Sequence, residues 1–187
     1  MASEDDWLKY VQLVNLTVGN DTGNLPITDS TRVEDMISFL EEYIKKGCYV
    51  DHVEKGNCFT LLDWSIYVNR LDFAKFLIES GASFKSVATN KNSLIVSIDY
   101  IKNKKSLLSF LALLIAYGAN YEERLPFYAS SKQIGMKNKS KYKLNAIEYL
   151  HLVYGRVAVE ELSALVKLDL READFLNESE IYNELTE

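Results

Sequence analysis

Side chains that could perform chemistry are few in this sequence and are poorly placed to act together. His52 lies beside two acids, Asp51 and Glu54, which resembles the beginning of a ligand set. A metal site requires more ligands at a fixed spacing, and the second histidine, His151, is far along the chain. We therefore expect no metal and no other cofactor.

A cysteine nucleophile is the other possibility, because Cys58 follows His52 closely. Nucleophilic catalysis also needs a group that orients the base and donors that stabilise an oxyanion, and the sequence shows neither pattern. The eight glycines are scattered and form no phosphate-binding loop. These observations predict that the protein is not an enzyme and that Cys58 is a small packed side chain.

Composition favours one folded domain. The chain has 187 residues, of which 48% are apolar and 12% aromatic, enough for a sizeable core. Its net charge of -6 argues against general nucleic-acid binding, and no apolar run is long enough to cross a membrane. Two cysteines and an acidic N-terminal stretch, unlike a signal peptide, predict a cytoplasmic protein.

The charge is distributed unevenly. Residues 169–187 contain seven acidic residues and one basic residue, whereas residues 132–143 contain five lysines and no acid. The lysine run is either a solvated loop or a contact for nucleic acid, anionic lipid or an acidic protein. The acidic segment is either a solvated cap or a contact for a basic partner.

A recurring segment predicts how the chain is organised. Leu77 to Ser83 reads LIESGAS, Leu114 to Asn120 reads LIAYGAN, and a fainter copy occupies residues 43–49. The glycines of these copies are 34 and 37 residues apart. A period of this size is typical of stacked helix pairs, in which each pair buries its apolar face against its neighbours.

Apolar spacing and capping signals place the helices of these pairs. A polar insertion at 102–105 accounts for the longer second period, and a long basic loop is predicted at 121–143. Further helices are predicted near Ser3 and from Glu178. The main predicted helices cover residues 33–44, 61–68, 72–80, 94–101, 106–117, 145–154 and 157–168.

The segment that opens with TLLDWS at Thr60 and closes with LIESGAS at Ser83 resembles the ankyrin repeat. That family opens a repeat with T-P-L-H-x-A and ends its second helix with L-L-x-x-G-A-D, and the 21 residues from Thr60 to Gly81 fit the family spacing. Leu61, Asp63 and Ser65 stand where the family has Pro, His and Ala. Because Asp63 stands in place of histidine, this repeat lacks the imidazole nitrogens that usually join neighbouring turns in the family.

The resemblance implies an all-α fold, a short ankyrin-like solenoid of about four helix-turn-helix repeats in a single domain over residues 1–187. Residues 31–120 match the family best. Residues 121–143 would be a long basic loop, and residues 169–187 an acidic cap or tail.

The resemblance also implies non-catalytic protein binding through a concave groove. Aromatic side chains in such a groove would supply apolar anchors, and acids would favour a basic partner. The groove residues expected from the family are Asn57, Phe59, Tyr67, Val68, Asn92, Tyr100 and Ile101, with Asp51, Glu54 and Asp72 as the acids.

Three functions remain open at this point. The first is an inhibitor or adaptor, such as a bacterial toxin-immunity protein or a host-directed effector. The second is a structural subunit that self-associates through its degenerate ends, although we favour a monomer. The third, least favoured, is an enzyme that uses the 121–143 loop as a lid. The partner is expected to be a protein, with no nucleic acid and no membrane.

Overall fold

The computed structural model describes residues 37–38, 41–42, 44–45, 49–51, 60–67, 69–86, 91–126 and 143–168. This part of the chain is mostly helical, which confirms the all-α class, and two very short antiparallel ladders accompany the helices. The elements with defined bounds are α1 Leu61–Tyr67, α2 Leu71–Glu79, β1 Lys85–Ser86, β2 Lys91–Asn92, α3 Ser93–Tyr100, α4 Lys104–Ala116, β3 Leu125–Pro126, β4 Lys143–Leu144, α5 Ala146–Tyr154 and α6 Arg156–Val166.

The chain divides into two compact units, Met1–Ser83 and Phe84–Glu187. In the first unit α1 packs against α2. In the second unit α3 packs against α4 and α5, and α6 packs against α4 and α5. The second unit therefore contains two adjacent helix pairs that share one core.

The second helices of two pairs, α2 and α4, bury corresponding residues. Phe73 and Leu77 of α2 lie in the core, and so do Phe110 and Leu114 of α4, each 37 residues further along. Residues spaced by four lie on one face of a helix, so the same face is buried in both helices.

Each of the two helices ends in a turn of the same type, and the turns lie at the predicted glycines. Gly81 has a φ of +93° and Gly118 a φ of +96°. The amide of Ala82 donates to the Leu77 carbonyl at 3.0 Å, and the amide of Ala119 donates to the Leu114 carbonyl at 2.9 Å. This six-residue closure is the Schellman motif, which satisfies carbonyls at the end of a helix.

Replacing Gly81 with valine is expected to lower the free energy of unfolding by about 2 kcal/mol, since L residues with a positive φ are strained and a β-branched one is strained most. A Cβ at this position meets no atom within 4 Å, so strain and not volume causes the loss. Urea unfolding of wild type, Gly81→Val and the control Gly81→Asn would test this. Asparagine tolerates the conformation and should cost less than half as much; an unchanged stability in the valine variant would contradict the turn.

The first helix of a pair begins with a side-chain cap. In α1 the Thr60 hydroxyl accepts from the Asp63 amide, while the Asp63 carboxylate accepts from the Thr60 amide, both at 3.1 Å. Asn145 and Glu148 form the same reciprocal capping box at α5. The Asp63 side chain is therefore used within its own helix start.

Short ladders precede the first helices of the second unit. Lys85 pairs with Asn92 and Leu125 with Leu144. The backbone carbonyls of Phe84 and Tyr121, again 37 residues apart, each accept a hydrogen bond from the first residue of the helix that follows their ladder. The bonds are 2.8 Å from Ser93 and 3.2 Å from Ala146.

The predicted helices agree well with those of the structure within the described ranges. The six helices from α1 to α6 lie within two residues of their predicted ends, and the described positions between 37 and 45 are helical. The prediction of a polar insertion at 102–105 was partly wrong, because α4 begins at Lys104. The Asn103 side chain caps it by accepting from the Ser106 amide at 3.0 Å, so Lys104 and Lys105 belong to the first turn.

The 121–143 loop prediction is also corrected at its ends. Residues 125–126 and 143–144 form a ladder that brings the two ends of the intervening segment side by side. Residues 127–142 lie outside the described part, and so do the helices predicted near Ser3 and from Glu178 and the acidic segment 169–187.

Candidate protein-binding surface

An aromatic pair lies at the end of α1 in the first unit. Tyr67 is the last residue of this helix and Trp64 lies one turn earlier. Their ring centroids are 5.6 Å apart with the ring planes at 89°, an edge-to-face contact that favours aromatic packing. Tyr67 is nevertheless 48% exposed, and Trp64 is half-buried. This pair offers apolar area to solvent while being held by its own packing.

The end of α1 is fixed by a tight turn. The Asn69 amide donates to the Ile66 carbonyl at 3.0 Å, and the Arg70 amide donates to the Ser65 carbonyl at 2.8 Å. Asn69 takes a φ of 59°, a left-handed conformation that asparagine adopts more readily than most residues. Tyr67 is therefore presented from a well-defined helix end.

A second exposed tyrosine occupies the corresponding place in the second unit. Tyr100 is the last residue of α3 and is 39% exposed. Tyr67 and Tyr100 thus close the first helices of two successive helix pairs. The prediction that these two side chains are accessible agrees with the structure.

The prediction was wrong for the next residue, Ile101, which is only 3% exposed. Ile101 adopts extended backbone immediately after α3, and its carbonyl accepts a hydrogen bond from the Tyr154 hydroxyl at 3.0 Å. Because only Ile101, Lys102 and Asn103 connect α3 to α4, the chain turns inward here and the isoleucine joins the core.

Asn92 was likewise expected in the groove but is buried. Its side chain accepts from the Ile95 amide at 3.0 Å and caps α3. Four other predicted residues, Asn57, Phe59, Val68 and Glu54, lie outside the described ranges.

The predicted acids have internal partners. Asp51 is half-buried and accepts the Ser83 backbone amide at 2.7 Å. Asp72 binds Arg70 through both carboxylate oxygens, at 3.1 and 2.9 Å, and this hydrogen bonding holds the pKa of Asp72 below its usual value. Both acids therefore serve to hold local structure, whatever they contribute to a partner.

A tyrosine–carboxylate contact at Asp99, the residue before Tyr100, was missed from the sequence. The Tyr149 hydroxyl of α5 donates to Asp99 Oδ1 of α3 at 2.5 Å. Burial is the main cause that raises the pKa of Tyr149 well above its usual value, and the nearby Asp99 charge adds to it. Together with the Tyr154 bond to Ile101, this contact joins the two first helices of the second unit.

The tyrosine–carboxylate contact predicts an alkaline loss of stability. Because the folded-state pKa of Tyr149 is raised, its contribution is complete below the unfolded pKa of about 10 and is lost as the pH rises above it. Between about pH 9 and 11, Tyr149→Phe should show a shallower fall in unfolding free energy, by up to about 1.4 kcal/mol per pH unit. Urea unfolding measures this, with Tyr117→Phe as the control for removing an exposed phenol; identical slopes in all three proteins would contradict it.

Among the described residues, no group of three or more His, Cys, Asp or Glu side chains is arranged to hold a metal ion. His52 and Cys58 lie outside those residues, and His151 is buried in α5. None of the described helices has the length and apolar character needed to cross a membrane.

The aromatic end of α1 in the first unit and the aromatic end of α3 in the second unit are thus two exposed places suited to bind another molecule. Tyrosine and tryptophan are enriched where proteins bind each other, since one side chain supplies a large apolar area and a polar group. No protein-family model matches the sequence, and no curated protein matches it.

Proposed function

We propose that this chain is a short ankyrin-like solenoid that binds another protein without catalysing a reaction. The observation that carries the proposal is the pair of exposed tyrosines, Tyr67 and Tyr100, at the ends of successive first helices. Solenoid proteins commonly use equivalent positions of successive repeats to bind their partners.

Repetition of the backbone hydrogen bonds supports the solenoid. The Schellman turns at Gly81 and Gly118, and the carbonyl bonds of Phe84 and Tyr121, each recur after 37 residues. Contacts between consecutive turns recur as well. Asp51 binds the Ser83 amide in the first unit, and Lys85 pairs with Glu123 at 3.3 Å in the second.

Preorganisation supports binding. A surface that is already ordered loses little conformational entropy on association, so more of its contact energy appears as affinity. The cap at Thr60 and the turn at Asn69 fix the two ends of α1, and the contact between Tyr149 and Asp99 fixes α3 against α5. Tyr67 and Tyr100 are therefore held by helices whose ends are well defined.

The partner we propose is a protein with an apolar contact region and a net positive charge. The apolar region would pack on Tyr67 and Tyr100, and the positive charge would complement the net charge of -6. An inhibitor of a basic toxin and a host-directed effector both fit this description. The proposed role as an inhibitor or adaptor rests on the likeness to ankyrin repeats.

Affinity capture from cells of the source organism tests the proposal. The bait is the full chain, compared with Tyr67→Ala, Tyr100→Ala and the matched control Tyr117→Ala, which removes a tyrosine of similar exposure (40%) from the end of α4. Each captured protein is then purified and titrated calorimetrically. Interface tyrosines of this kind contribute about 2 kcal/mol, a loss of about 30-fold in affinity.

The expected result is that one protein binds wild type and Tyr117→Ala equally and binds Tyr67→Ala and Tyr100→Ala more weakly. Circular dichroism of each variant shows whether the helices remain folded. Equal affinity for all four baits would place the binding surface elsewhere, and a complex made only of copies of this chain would favour self-association.

A further inference from the structure

We draw no further inference here: the strongest candidate, the exposed apolar side chains Val157 and Leu165 on α6, the last helix of the described residues, is an unpartnered helix face, and nothing in the described residues shows what covers it.

Discussion

Phe110→Ala is expected to destabilise the protein by about 3–5 kcal/mol, the largest loss predicted for a single substitution in the second unit. Phe110 is among the largest fully buried side chains of the described residues and lies at the centre of α4, the helix that packs against both α3 and α6. Removing its ring loses the burial of a large apolar area and leaves a cavity that the surrounding helices fill only partly. Urea unfolding followed by circular dichroism measures the loss.

Phe73→Ala is the matched variant, because Phe73 occupies the corresponding position in α2 of the first unit and is equally buried. We expect a loss of similar size. Trp64 lies in α1 of the first unit, so tryptophan fluorescence reports on the unfolding of that helix. A loss below about 1 kcal/mol in either variant would contradict the buried position of the ring.

The second large effect is expected at a buried carboxylate. Glu148, 1% exposed, pairs with the Arg124 guanidinium through Oε1 and accepts the Asn145 amide at 2.9 Å through Oε2. Arg124 also donates to the Lys143 carbonyl at 3.1 Å, so it joins the second ladder to the start of α5. Arg124→Met would leave the carboxylate buried without its cation.

Removing one partner of a buried ion pair costs about 3–5 kcal/mol, because the remaining charge is no longer compensated. Arg124 itself is 56% exposed, which admits water, so we expect the lower end of this range, about 3 kcal/mol. Urea unfolding of Arg124→Met at neutral pH provides the value.

A double-mutant cycle separates the charge from the packing. Glu148→Gln retains a side chain that can accept the Asn145 amide but removes the charge, so Arg124→Met/Glu148→Gln should be more stable than Arg124→Met alone. If the double variant is instead less stable than Arg124→Met, the uncompensated charge is not the cause of the loss.

The helices and their ends were predictable because their signals are local. Gly81 and Gly118 each follow an amphipathic helix, and a glycine at that place favours the left-handed turn that the structure contains. The Thr60–Asp63 cap also needs only four consecutive residues. No information from distant parts of the chain is required for these features.

The contacts between helices could not be predicted in the same way. Arg124 and Glu148 are 24 residues apart, and Asp99 and Tyr149 are 50 apart, so their pairing depends on how the helix pairs pack. Apolar spacing alone marks the residues of a buried face but does not identify the partner of a buried polar group. The pairings emerge only when the helices are placed against each other.

The candidate surface was predicted only in part for the same reason. Tyr67 and Tyr100 were found because they are helix-end aromatics in the repeat pattern, whereas Ile101, next to one of them, turns inward. The three-residue spacing of Trp64 and Tyr67 was a usable signal for the aromatic pair, since side chains so spaced on a helix are neighbours. One residue of difference at a helix end decides between a surface position and a core position.

Site-specific photocrosslinking tests the central claim, that the ends of α1 and α3 bind a protein, most directly. A photoreactive phenylalanine derivative is placed at position 67, 100 or 117 of the full chain and irradiated in cells of the source organism. The account predicts that positions 67 and 100 crosslink to the same protein. Position 117, which is similarly accessible at the end of α4, should not crosslink to it. Crosslinking of that protein from position 117 alone, or of no protein from positions 67 and 100, would contradict it.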